Sequence, residues 1–199
     1  LAGIYREFIR DKVLILKVNG EELTFKEPKI LNAPYFKSTD EISLEWRKNI
    51  SFTFGENFKV NGFAAIRAVG NTSEAGFSLF RRGRVIQGSA DETYRPSYIF
   101  GNSNSYRFQR LFGEFHIDGI DVSHTKDGFR WGEFEQTFLQ ILRDKLDSDD
   151  LPLLRQAEGY RVRGNNSKLF SIIEKAVSSS VEEMRIGLPL SIPNILDSD

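Results

Sequence analysis

Apolar residues recur at Leu1, Ile4, Tyr5, Phe8 and Ile9, the spacing of one face of a helix, so the chain opens with a helix that has an apolar stripe to cover. The period then shortens. Val13 to Val18 is β-branched and leucine-rich, Asn19-Gly20 supplies the two positive-φ residues of a tight turn, and Leu23 and Phe25 alternate on the return, which predicts a hairpin. Residues 27–38 hold Pro28 and Pro34 without periodicity and read as a loop. Ile42, Leu44 and Trp46 alternate, as do Ile50, Phe52 and Phe54 beyond the polar Arg47-Lys48-Asn49, so two strands or one long bent strand lie here. Phe58 to Val69 predicts another strand, with Gly62 at a bulge or bend. Gly76 to Ile86 predicts one more, with Phe77 and Leu79 on one face.

The polar stretch from Asp91 to Ser105 is about 15 residues long, enough to need a reason such as binding or a contact with another domain. Phe112 to Val122 is strand-like, and Gly119 breaks its register. From Gly132 to about Leu146, Phe134, Phe138, Ile141 and Leu142 share a helical face. A further helix is expected from Ser167 to Met184, capped by Asn166 or Ser167 and burying Leu169, Phe170, Ile173, Ala176 and Val177. The order of elements predicts an α+β domain over residues 1–146, a mostly antiparallel sheet with helices packed on one face, then a helical extension and tail or linker over 147–199.

Composition sharpens this picture by exclusion. The 199 residues are 40% hydrophobic and 13% aromatic, enough for one large domain with its own core. Lys and Arg number 27 against 28 Asp and Glu, so no global field favours nucleic acid or an anionic membrane. The absence of cysteine excludes disulfides, thiolate metal sites and cysteine nucleophiles. The 2 histidines, His116 and His124, lack the helical His-Glu-x-x-His spacing of a zinc site. No stretch approaches the roughly 20 apolar residues of a membrane helix, and the N-terminus does not read as a signal peptide, so a soluble cytoplasmic protein with no membrane partner is expected. The start at Leu1, inside an amphipathic pattern and without methionine, predicts a segment of a longer protein.

Candidate chemistry concentrates between Gly76 and Trp131, a stretch dense in Arg, Gly and aromatic residues. Ser123 to Phe129 follows a strand and precedes a helix, where loops project side chains and backbone amides beyond a sheet edge. Lys126 in that loop can meet a phosphate as a mobile point charge, although from its residue type alone it reads first as a solvated loop lysine. Arg81, Arg82 and Arg84 would attract an acidic partner or nucleic acid unless they are ion-paired, and Asp91, Glu92 and Glu114 dilute their field. His116 falls inside a strand and reads as structural. Asp118 and Asp121 flank Gly119 and read as covering a turn rather than as paired catalytic carboxylates.

His124-Thr125-Lys126-Asp127-Gly128-Phe129 is similar to the His-Asn-Lys-Gln-Asp-Phe type motif in the second domain of split GHKL ATPases, the superfamily of gyrase B, heat-shock chaperones, histidine kinases and MutL. Ile4-Tyr5-Arg6, Val18-Asn19-Gly20, the Arg81-Arg82-Gly83-Arg84 run and Arg110-Leu111-Phe112-Gly113-Glu114 resemble the MORC-like branch in the same order, so the resemblance spans roughly residues 1 to 146. It implies a transducer domain with a fold like ribosomal-protein S5 domain 2. Lys126 would be the γ-phosphate sensor, with His124 and Thr125 beside the nucleotide. Thr125 and Gly128 depart from the family motif, which puts the loop geometry rather than the lysine in question. The ATP and Mg would be held by an N-terminal ATP-binding domain of the same chain, with a homodimer as the usual assembly of the superfamily and DNA as a further partner. The Asn-bearing helix, the adenine-reading Asp and the glycine-rich lid of that ATP site have no counterpart here, so the fragment alone is expected to bind no cofactor and to turn over no ATP. A stand-alone protein- or nucleic-acid-binding module without nucleotide is the alternative.

Overall fold

The computed structural model describes residues 1–39, 42–89, 92–125, 128–160, 173 and 177. It divides into two compact units, Leu1–Arg161 and Val162–Asp199. The first runs past the boundary expected at 146, because Leu153, Leu154, Gln156 and Ala157, on helical residues 153–160, are buried in its core. Of the helix expected over 167–184, only Ile173 and Val177 are described; both are helical and exposed, where burial was expected.

The opening stripe is helical only over α1 (Arg6–Arg10), with Leu1, Ile4 and Tyr5 ahead of the helix and none of its residues buried; the helix stops when Lys12 takes a left-handed conformation, φ 57°. Lys12 N–H then donates to the Ile9 carbonyl at 3.1 Å and Val13 N–H to Phe8 at 2.9 Å, a Schellman closure that satisfies the last carbonyls. β1 (Lys17–Val18) and β2 (Glu21–Glu22) form the hairpin on Asn19 and Gly20, with φ 54° and 87°. β3 (Asn32–Ala33) pairs with β4 (Leu44–Glu45), which bends at the buried Trp46 into β5 (Arg47–Phe54).

The main sheet adds β6 (Phe58–Ile66), β7 (Gly76–Arg81), β8 (Arg84–Gln87) and β9 (Leu111–Asp118), in the order β5-β6-β9-β7-β8. Every pairing is antiparallel except β7 with β9, so the fold is α+β on a mostly antiparallel sheet, in agreement with the sequence reading. Two local expectations fail. The single strand predicted over 76–86 is two, because Arg82 and Gly83 take φ 50° and 75° and turn the chain between β7 and β8. Gly62 sits at no bulge: the register runs unbroken through it on both sides. A Cβ there would lie 1.9 Å from the Glu114 carbonyl oxygen, so glycine serves the close approach of β9 to β6; the irregularity falls instead between Leu79 and Phe80.

Alternation gives each strand two faces. Ile50, Val60, Ile66, Phe77, Leu79, Leu111, Phe115 and Ile117 are buried on one face, beneath α4 (Phe134–Leu146). Phe138 of α4 is fully buried, its ring 4.7 Å from Trp131, 5.7 Å from Phe54 and 6.0 Å from Phe52. The long segment before β9 is not a free polar loop: α2 (Ser97–Phe100) buries Ile99 and Phe100, and the Phe100 ring packs 4.7 Å from Phe77. α3 (Tyr106–Arg110), capped by the Ser105 side chain on Phe108 N–H, then leads into β9. Phe63, Phe112, Glu114 and His116 belong to the opposite face of the sheet, where α1 meets Glu114 and His116 through its charged residues.

Candidate functional site

Beyond β9 the chain turns at Gly119, φ 98°, buries Ile120 and enters the loop that carries the candidate lysine. The loop has a tied base. Val122 bridges Phe129, Ser123 N–H donates to the Gly128 carbonyl at 2.9 Å, and Arg130 N–H donates to Asp121 at 2.8 Å. Phe129 and Trp131 anchor the returning limb in the core, with their rings 5.5 Å apart, and Trp131 Nε1 donates to Gln87 Oε1 at 3.5 Å, beside the end of β8. With apolar residues pinning its base, the tip faces solvent: His124 and Thr125 are exposed, and the Thr125 hydroxyl lies 3.3 Å from that of Ser123. Lys126 and Asp127 lie outside the described residues.

The other candidates separate from this loop. His116 lies on β9 with its Nε2 3.3 Å from Glu7 and its ring stacked 5.0 Å from Phe80, a packed strand histidine. Asp118 and Asp121 are exposed at the Gly119 turn. The arginine run does not form one basic surface: Arg82 alone is exposed, and Arg84 lies 5.8 Å from the Tyr5 ring. Among the described residues, no group of three or more His, Asp or Glu could hold a metal ion, and no helix is long and apolar enough to cross a membrane.

A second charged centre lies on the α1 face. Nη2 of Arg10 donates to both Glu114 oxygens, at 3.1 and 2.9 Å, and its Nε lies 2.7 Å from Glu27. Burial disfavours the charged form of Arg10, yet the bonds to Glu114 outweigh it and the net shift is upward. Arg6 Nε is 3.0 Å from Glu114, an ion contact without hydrogen-bond alignment, and its guanidinium lies over the Phe25 ring at 5.0 Å and over the Phe80 ring at 5.1 Å. Burial lowers the Arg6 pKa, with Glu114 opposing. These charges border a cavity of about 370 Å³ over β6, β9 and the start of β7. The centre joins residues far apart in sequence; its one local signal was a glutamate inside the otherwise apolar run Leu111-Phe112-Gly113-Glu114-Phe115.

No protein-family model matches the chain, and no curated protein shows significant similarity to it.

Proposed function

We propose that this chain is the transducer domain of a split GHKL ATPase of the MORC-like branch, with an S5 domain 2-like fold, acting in the cytoplasm. Its loop after β9 supplies Lys126 to the γ-phosphate of ATP and Mg held by an N-terminal domain of the same chain. The observation that carries the reading is the form of that loop: a base pinned by Phe129 and Trp131, and a tip where His124 and Thr125 are open to a partner. A rigid base with an exposed polar tip suits a group that must reach a phosphate outside its own domain. Because the lysine would meet the γ-phosphate only in the closed arrangement, ATP would favour closure by its differential affinity for the two states.

The test is ATP hydrolysis by the longer protein, wild type against Lys126→Ala, with nucleotide binding measured in parallel. A large loss of turnover with binding retained supports the reading. Unchanged turnover returns Lys126 to solvent and leaves a stand-alone binding module as the better account. The 199-residue chain by itself is expected to show no turnover.

A further inference from the structure

The two edges of the main sheet differ. At the β8 edge, Val85 N–H donates to the Ile4 carbonyl at 3.1 Å, so the start of the chain covers it. At the other edge, β4 and β5 have strand partners on one side only, β3 beside β4 and β6 beside β5. Trp46 N–H donates to the Leu31 carbonyl and the Trp46 carbonyl accepts from Ile66 N–H, each at 2.9 Å, so the Trp46 backbone faces inward. Alternation then turns the backbone groups of Glu45 and Arg47, on either side of it, to the outer edge, where they meet no backbone partner among the described residues. Such an edge is normally blunted by proline, a bulge or a free lysine. β5 has no proline and an unbroken register, and its one lysine, Lys48, is drawn to Asp150 at 2.6 Å.

The side chains of this edge are complementary to themselves. Glu45 and Arg47 are exposed, alternate onto the same face, and have no ion-pair partner among the described residues; Arg47 bonds only to Asn49 at 2.9 Å and lies 4.1 Å over the Phe63 ring. Leu44 and Ile42 beside them are also exposed. We propose that this edge pairs with the same edge of a second copy, antiparallel and centred on Trp46. A two-fold pairing sets each residue against the one equally far beyond the centre, so Glu45 of each copy faces Arg47 of the other and both unpaired charges are matched twice. Those same residues exchange the backbone bonds, because theirs are the groups that face outward. Charge also selects the register: a pairing centred on Glu45 or on Arg47 would set like charges directly opposite each other. Leu44 and Ile42 gain cover from the added strand.

The contact uses no part of the loop after β9 and does not depend on the nucleotide reading. The test is sedimentation equilibrium of the 199-residue chain. A short ladder lies at the small end of interface sizes, so a dimer with a Kd of roughly 10–500 µM is expected, and the chain is measured up to about 1 mM. Glu45→Lys and Arg47→Glu should each weaken the dimer about tenfold, since each turns two attractions into two repulsions. Combining Glu45→Lys with Arg47→Glu restores opposite charges across the pair and should bring the dimer back to within about threefold of wild type. Both positions are exposed, so the fold is expected to tolerate the changes. Arg82→Glu, exposed in the turn between β7 and β8, should change nothing. The proposal is overturned if the wild-type chain stays monomeric throughout, if either single reversal leaves the dimer as tight as wild type, or if the double variant is no tighter than the single ones.

Discussion

Gln156 and Phe36, 120 positions apart, share a hydrogen bond in which the Phe36 N–H donates to Gln156 Oε1 at 2.9 Å. The other end of the same amide donates from Nε2 to the Pro34 carbonyl at 3.0 Å, and Gln156 is fully buried. One side chain thus satisfies two backbone groups of the β3–β4 connection. Gln156→Leu keeps the volume but orphans both groups, so a loss of about 2–6 kcal/mol is expected, at roughly 1–3 kcal/mol for each. Urea unfolding should show a lower midpoint at an unchanged slope. A midpoint equal to wild type would mean that the connection finds other partners.

Gly62 and Gly20 predict opposite sensitivities. At Gly62 an alanine Cβ meets the Glu114 carbonyl at 1.9 Å, and backbone must move in the middle of the sheet, so Gly62→Ala should cost more than about 3 kcal/mol. At Gly20 nothing lies within 4 Å and only the positive φ of 87° is strained, so Gly20→Ala should cost about 1 kcal/mol. Thermal denaturation of the two variants side by side checks the contrast, and equal losses would refute it.

The loop after β9 should separate into a structural base and a replaceable tip. Phe138→Ala, which removes the ring packed on Trp131, is expected to destabilise by about 3–5 kcal/mol. His124→Ala, at the exposed tip, should stay within about 0.5 kcal/mol of wild type. If His124→Ala unfolds the domain, the tip is a structural element and the proposed role for Lys126 loses its support.

Asp150 accepts a hydrogen bond from Lys48 Nζ at 2.6 Å and another from Ser148 Oγ at 2.6 Å, and these bonds, that from Lys48 first, hold its carboxyl down at about 2. Its pKa is depressed on folding, so the associated stability is present above the ordinary value of 3.8 and is lost as pH falls from there through about 2. A carboxyl-detected NMR titration should place the Asp150 midpoint near 2, and Lys48→Met should move it back towards 3.8. A midpoint already near 3.8 in the wild type would show that the pair is not formed in solution.

Much of this architecture was legible in the pattern of side chains, and the exceptions have physical reasons. The helical face of Phe134, Phe138, Ile141 and Leu142 foretold α4 because its period is long and regular. Asn19-Gly20 foretold its hairpin, whereas Arg82-Gly83 did not, because arginine is a rare choice for a left-handed turn position. Gly62 looked like a bulge because a glycine in a strand marks either a bend or a close approach, and only the position of β9 decides between them. The strand–loop–helix context placed the exposed tip at His124 and Thr125, since that inference is local. The Arg6, Arg10 and Glu114 centre was not legible as a site, because it brings together residues 104 positions apart.

The place of β9 sets the order in which this domain can be assembled. β5 and β6 form one hairpin and β7 and β8 another, yet the two share no edge; each pairs only with β9, which comes last of the five in the chain. A nascent chain that has not yet reached Leu111 therefore carries two hairpins with open edges and only part of an apolar face to close on, a condition that invites pairing with other chains. Commitment to the native sheet waits for a single strand to zip between them, so folding should be slow for a domain of this size and most exposed to aggregation just before β9 arrives.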